Sequence, residues 1–105
     1  MREAVRLDLN NERFQQQWFA LEKSERVAVL QGCIKIAKLS WSELYLDRGL
    51  HWELIHSRKG LDGSKLYSIR ITKKMRAVVT RTGEYLAFLT LLAVLSMPNR
   101  DPRAA

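Results

Sequence analysis

The stretch Leu66-Tyr67-Ser68-Ile69-Arg70-Ile71-Thr72-Lys73-Lys74-Met75-Arg76-Ala77-Val78-Val79-Thr80-Arg81 decides how this chain folds. Tyr67, Ile69 and Ile71 alternate with Ser68, Arg70 and Thr72, the period-two pattern of a half-buried strand. Lys73-Lys74-Met75 interrupts it as a turn, and Arg76 to Arg81 reads as a second strand rich in valine. With those three residues as the loop, Thr72 pairs with Arg76 and Arg70 with Val78. Ile69, Ile71, Ala77 and Val79 then share the core face, and Arg70 and Arg76 share the open one. A two-residue loop would set Arg76 beside Ile71 on the core side, because a slip of one residue flips a whole strand.

Working outward, Thr82-Gly83 is a hairpin signal and Glu84 onward a third strand, with Thr80 opposite Tyr85. Toward the N-terminus, Arg2 to Leu9 alternates loosely as an edge strand, and Asn10-Asn11 offers a helix N-cap. Phe14, Trp18 and Leu21 mark one face of a short helix. Ser24 is expected to cap a second helix that turns Val27, Leu30, Ile34 and Ala37 inward and leaves Glu25, Arg26, Gln31, Lys35 and Lys38 outside. The short link between the two helices predicts an antiparallel hairpin. Between Ser40 and Gly63 no single period holds. Trp41, Leu44 and Tyr45 suit a helical turn, Gly49, Gly60 and Gly63 suit turns, and Trp52, Leu54 and Ile55 suit anchors of a loop to the core. The expectation is one α+β domain over residues 1–105 in the order β-α-α-β-β-β, its helical hairpin packed on a small, mostly antiparallel sheet.

Composition bounds the function. The chain has 105 residues, 47% of them hydrophobic and 28% charged, an ordinary globular balance. Its single cysteine, Cys33, can form neither an internal disulfide nor a cysteine-based zinc site, which fits a reducing compartment. The apolar run from Leu86 to Met97 is shorter than the roughly 20 residues a membrane helix needs. A cytoplasmic protein with no membrane association is expected. The net charge is +7, and its placement is uneven. Residues 1–45 hold seven Lys/Arg against six Asp/Glu, and residues 46–105 hold eleven against five. A one-sided positive field speeds encounter with polyanions and is the footprint of a nucleic-acid binder. No glycine-rich phosphate loop, paired carboxylates, zinc-ligand spacing or Ser/His/Asp arrangement stands out, so neither a metal nor a cofactor is expected.

The hairpin Leu66 to Ile71, its turn, and Met75-Arg76-Ala77-Val78-Val79 resemble the central hairpin of the RelE/ParE toxin superfamily. Gly83-Glu84-Tyr85-Leu86-Ala87-Phe88-Leu89 looks like the strand that follows it, and Trp52-Glu53-Leu54 to Gly63 like the approach to it. The resemblance implies the toxin of a type II toxin–antitoxin pair, partnered by a separately encoded antitoxin protein. RelE- and HigB-like members cut messenger RNA on the ribosome, by attack of the ribose 2′-hydroxyl on the adjacent phosphate without metal. ParE-like members poison DNA gyrase, and a member that only binds a partner is a further alternative. Carried over, Arg76 matches the arginine opening the central strand and Arg70 a basic residue of the preceding one, the two phosphate-gripping candidates. Ser68 stands where some members carry lysine. Many RNA-cutting members have a Tyr or His near the C-terminus. Here Ser96 to Ala105 holds neither, and Arg100-Asp101 takes that place.

His51 and His56 are the only histidines, and His56, followed by Arg58 and Lys59, is the candidate proton-transfer group. Lys73, Lys74, Arg58, Lys59 and Arg100 are candidates for tracking a nucleic-acid backbone, and Tyr85 for stacking on a base. Arg81, beside its turn, is expected to pair with Glu84 rather than to contact a ligand. Trp18, Trp41 and Trp52 are expected to be packing residues, and Cys33 a buried, inert thiol.

Overall fold

The computed structural model describes residues 3–93. Its elements run β1 (Arg6–Asp8), α1 (Glu12–Ala20), α2 (Lys23–Ala37), α3 (Trp41–Leu46), β2 (Glu53–Lys59), β3 (Lys65–Arg70), β4 (Met75–Thr82) and β5 (Tyr85–Ala93). Together they make a five-stranded sheet in the order β1-β5-β4-β3-β2. Every neighbouring pair is antiparallel except β1 with β5. The α+β class and the strand, helical hairpin, strand meander order are as expected. The segment from Ser40 to Gly63 contributes a third helix, where Trp41, Leu44 and Tyr45 suited a helical turn, and a fifth strand that its mixed pattern did not reveal.

The local signals explain most boundaries. The Asn11 side chain accepts a hydrogen bond from the Phe14 N–H, 2.9 Å, so asparagine does cap α1. A capping box opens α3, where Ser40 Oγ takes the Glu43 N–H at 3.2 Å and Glu43 Oε1 takes the Ser40 N–H at 2.8 Å. Helix α2 is different. It starts at Lys23 after Glu22, with no side-chain cap, so Ser24 lies inside the first turn.

The face of α2 that meets the sheet also differs from expectation. Val29, Cys33 and Ile36 are buried, whereas Val27, Leu30 and Ile34 are 41%, 47% and 48% exposed. The helix carries apolar residues on two sides, so period alone does not choose between them. Gly32 faces the sheet, with Ile71 Cδ1 at ordinary packing distance, 3.6 Å, from where its Cβ would stand, and the Leu30–Ile34 side of the helix faces outward. Phe14 of α1 fills the other half of the layer, its ring 5.2 Å from Phe88 and 5.7 Å from Trp18. The joint core takes Ile69, Ala77 and Val79 from the sheet, the alternation expected of β3 and β4.

The central hairpin pairs Arg70 with Arg76, Ile69 with Ala77 and Tyr67 with Val79. The register is two residues from the expected one, because the connection takes up Ile71 to Lys74, closed by Ile71 and Thr72 N–H groups donating to Met75 O at 3.0 and 3.1 Å. A slip of two keeps every side chain on its face, so the core set and the arginine face survive it. The β4–β5 turn is displaced likewise: Thr82 pairs with Tyr85, and Gly83 turns with φ +61°, where glycine is unstrained. Farther on, β5 bulges, with Val79 opposite Phe88 but Val78 opposite Thr90. Gln17 of α1 steadies that bulge. Its Oε1 accepts from the Leu91 N–H at 2.8 Å and from Thr90 Oγ1 at 2.9 Å, while its Nε2 donates to Leu91 O at 3.5 Å. No helix among the described residues is long and apolar enough to cross a membrane.

Candidate nucleic-acid interface

The helices cover one face of the sheet and leave the other as a shallow surface. Cross-strand partners share a face, so Glu53 stands on one side with Ser68, and Arg70 with Arg76. A small apolar patch of Ile55 and Val78, backed by Leu66 and Leu92, lies beside them.

Two arginines are directly paired across β3 and β4 here, but in different environments. Arg70 is exposed, and its backbone N–H donates to Leu50 O at 2.7 Å. Arg76 is 7% exposed and points along the sheet. Its Nε donates to Ser68 Oγ at 3.1 Å, and its Nη2 donates to His51 O at 2.6 Å and Ser68 O at 3.3 Å. A buried charge needs such partners. The Leu50–His51 peptide is therefore strapped across the ends of β3 and β4 by both arginines. The strap is prepared by Asp47, whose Oδ1 accepts the Leu50 N–H at 2.9 Å and the Lys35 ammonium at 3.0 Å. At the end of that turn His51 takes φ +50°, a left-handed conformation uncommon outside glycine. Its Nε2 lies 3.8 Å from Glu53 Oε1, both side chains about half exposed.

A groove of about 620 Å³ crosses the same face farther along. Leu66, Val78, Thr80, Leu89 and Thr90 floor it, and Arg13, Arg58 and Lys59 stand on its rim. Thr80 Oγ1 donates to Lys65 O at 2.8 Å, which fixes the floor to β3. Asp62 is the acidic member of the rim. Hydrogen bonds from the Ser64 side chain and backbone N–H hold its carboxyl below the usual range.

The expected site residues fall into separate groups. Arg70 and Arg76 come together, with exposed Lys73 and Lys74 on the adjoining turn, although Lys74 also lines a groove of about 360 Å³ with Gln17, Glu25 and Met75 on the helix side. Arg58 and Lys59 stand at the opposite end of β3. Its five steps from Lys65 to Arg70 span about 17 Å. His56 is exposed on β2 one residue beyond Ile55, which pairs with Leu66, four residues or about 13 Å from Arg70. No hydrogen bond or ion pair joins His56 to Arg70 among the described residues. Tyr85, 44% exposed, sits by the β4–β5 turn and pairs with Thr82, six residues or about 20 Å along β4 from Arg76. Arg100 lies outside the described residues, as does the C-terminal stretch lacking Tyr and His.

The residues expected to be structural are so. Arg81 stacks 4.0 Å above the Trp41 ring and donates to Tyr45 Oη at 2.7 Å. Its acidic partner is Glu3 at 3.6 Å rather than the expected Glu84, which faces Arg6 at 3.8 Å. Trp52 stacks on Tyr67 at 4.4 Å, and burial raises the Cys33 thiol to about 11. Among the described residues no group of three or more His, Cys, Asp or Glu side chains is placed to hold a metal ion. His51 and Glu53 are the neighbours of the arginine pair that sequence reasoning did not select. The strap that brings them there is a tertiary contact with no local signature.

This helical hairpin on one face of a strand meander is a RelE-like fold. In particular, the chain is similar to the RelE–RelB complex of the archaeon Pyrococcus horikoshii, at 13% identity and a TM-score of 0.57, over 89% of this chain and 96% of that one. It also matches a copper-bound mutant toxin from Helicobacter pylori at 17% identity and a TM-score of 0.48, over 89% and 98% of the two chains. No protein-family model matches the sequence, and no curated protein matches it.

Proposed function

We propose that the chain is the toxin half of a toxin–antitoxin pair and cuts messenger RNA bound to the ribosome. The observation that carries this reading is the facing of Arg70 and Arg76 on the open sheet of a RelE-like fold. Like charges directly opposite repel, and an anion laid across the pair relieves that repulsion. A phosphate suits it: Arg70 meets the backbone from solvent while Arg76 supplies positive charge from beneath, where charge builds up during phosphoryl attack. Lys73 and Lys74 at one end, and Arg58, Lys59 and Arg13 at the other, guide the strand by charge. The antitoxin partner docks on the apolar side that α2 turns outward, Val27, Leu30 and Ile34, since exposed apolar stripes mark interaction sites.

A second reading, a DNA gyrase poison with no catalysis of its own, is favoured by the commitment of the Arg76 guanidinium to His51 O and Ser68. One experiment separates them. The protein is incubated with ribosomes stalled on a defined message and, in parallel, with gyrase and relaxed plasmid. Cleaved message with unimpaired supercoiling supports the first reading, and the reverse supports the second.

A further inference from the structure

We infer that His51 is the proton-transfer group of this site and that Glu53 positions it, an inference that rests on the RNA-cleaving reading above. Three placements carry it. The His51 carbonyl receives Arg76 Nη2 at 2.6 Å, so the residue is fixed to the buried member of the arginine pair. Glu53 is the cross-strand partner of Ser68, whose Oγ receives Arg76 Nε at 3.1 Å, so the carboxylate shares the arginine face. The imidazole joins the two, with Nε2 3.8 Å from Glu53 Oε1. That spacing is an ion-pair separation rather than a hydrogen bond, and catalytic pairs are often this loose before substrate closes them.

The backbone adds weight. His51 holds φ +50°, where glycine would sit without strain. Strained left-handed residues gather at functional sites because the surrounding structure holds them there, and a half-exposed His–Glu contact returns little stability.

In the step itself, Glu53 holds the Nε2 side of the ring and Nδ1 takes the proton of the ribose 2′-hydroxyl. The 2′ oxygen bonds to phosphorus, the bond from phosphorus to the 5′ oxygen breaks, and that oxygen leaves with a proton from solvent. The products are a 2′,3′-cyclic phosphate and a 5′-hydroxyl, and the imidazolium returns its proton to water. Arg70 and Arg76 carry the charge on the phosphate.

The test is single-turnover cleavage of ribosome-bound message by wild type, His51→Gly, His51→Asn and Glu53→Gln. Glycine and asparagine both accept the left-handed backbone and keep the carbonyl that holds Arg76, and unfolding midpoints check that each variant folds. The expected result is a fall of about 100-fold or more in the His51 variants, with added imidazole restoring part of the rate of His51→Gly and none of Arg70→Ala. Glu53→Gln should fall less. If the wild type cuts and His51→Gly cuts at the same rate, the His51 assignment is wrong and the nuclease reading stands. Slow cleavage that imidazole leaves unchanged also overturns the assignment, because it marks a purely structural residue. If the wild type cuts nothing, both fall together.

Discussion

Arg70 and Arg76 are paired across β3 and β4, one exposed and the other buried, which makes them separable by mutation. Arg76→Ala leaves His51 O and Ser68 Oγ without their donor, a loss of about 1–3 kcal/mol for buried groups left unpaired. Arg70→Ala removes an exposed side chain and should change stability by less than about 0.5 kcal/mol. Urea unfolding of both variants checks this, and equal losses would refute the distinction. Cys33 gives a pH prediction. Burial raises the folded thiol to about 11 from an ordinary 9.0. Below the ordinary value both states keep the proton and pH has no effect through this group. Between the two values the unfolded chain ionises first, so stability falls as pH rises. Cys33→Ala should flatten that alkaline decline in unfolding free energy, and native protein should resist thiol reagents at neutral pH. At this scale the sequence showed which arginines share a face, since parity survives a two-residue slip. It did not show that one would be buried, because burial of Arg76 depends on a carbonyl 25 residues away.

The elements divide into those governed by local rules and those governed by contact. The asparagine cap of α1 and the alternation of β3 and β4 are local, and both were legible. The inward face of α2 was not, since Val27, Leu30 and Ile34 have the same spacing a core stripe would have. Tertiary packing, with Val29, Cys33 and Ile36 in the shared core, turns the helix the other way. Strand β2 hid for a related reason: its register with β3 shifts between Ile55 and Lys59, which breaks the alternation that marks a strand. Two predictions belong here. Leu30→Glu on α2 should leave the unfolding midpoint of the isolated protein nearly unchanged and abolish co-purification with the antitoxin expressed beside it. A large drop in stability would mean that the stripe is internal. Gln17→Ala removes the side chain that brackets Leu91 at the β5 bulge and should cost about 1–3 kcal/mol in chemical denaturation. An unchanged midpoint would show that the bulge holds itself.

For the molecule as a whole, the sheet is the organising object. One face is closed by Phe14, Val29, Cys33 and Ile36 from the helices, and the other stays shallow with cations at both ends. Of the basic residues in 46–105, Arg58, Lys59, Lys65, Arg70, Lys73, Lys74, Arg76 and Arg81 fall on β2, β3, β4 and their turns. Binding carried by phosphate contacts weakens steeply with salt, and association with ribosome-bound message should do the same. If this arginine face makes the chain a toxin, growth on induction shows it. Cells induced for the wild type and for Arg70→Ala, a variant that keeps the fold, are compared without antitoxin. The account predicts arrest by the wild type and growth with Arg70→Ala. A folded, expressed wild type that leaves growth untouched, or an Arg70→Ala variant that arrests growth equally, would contradict it.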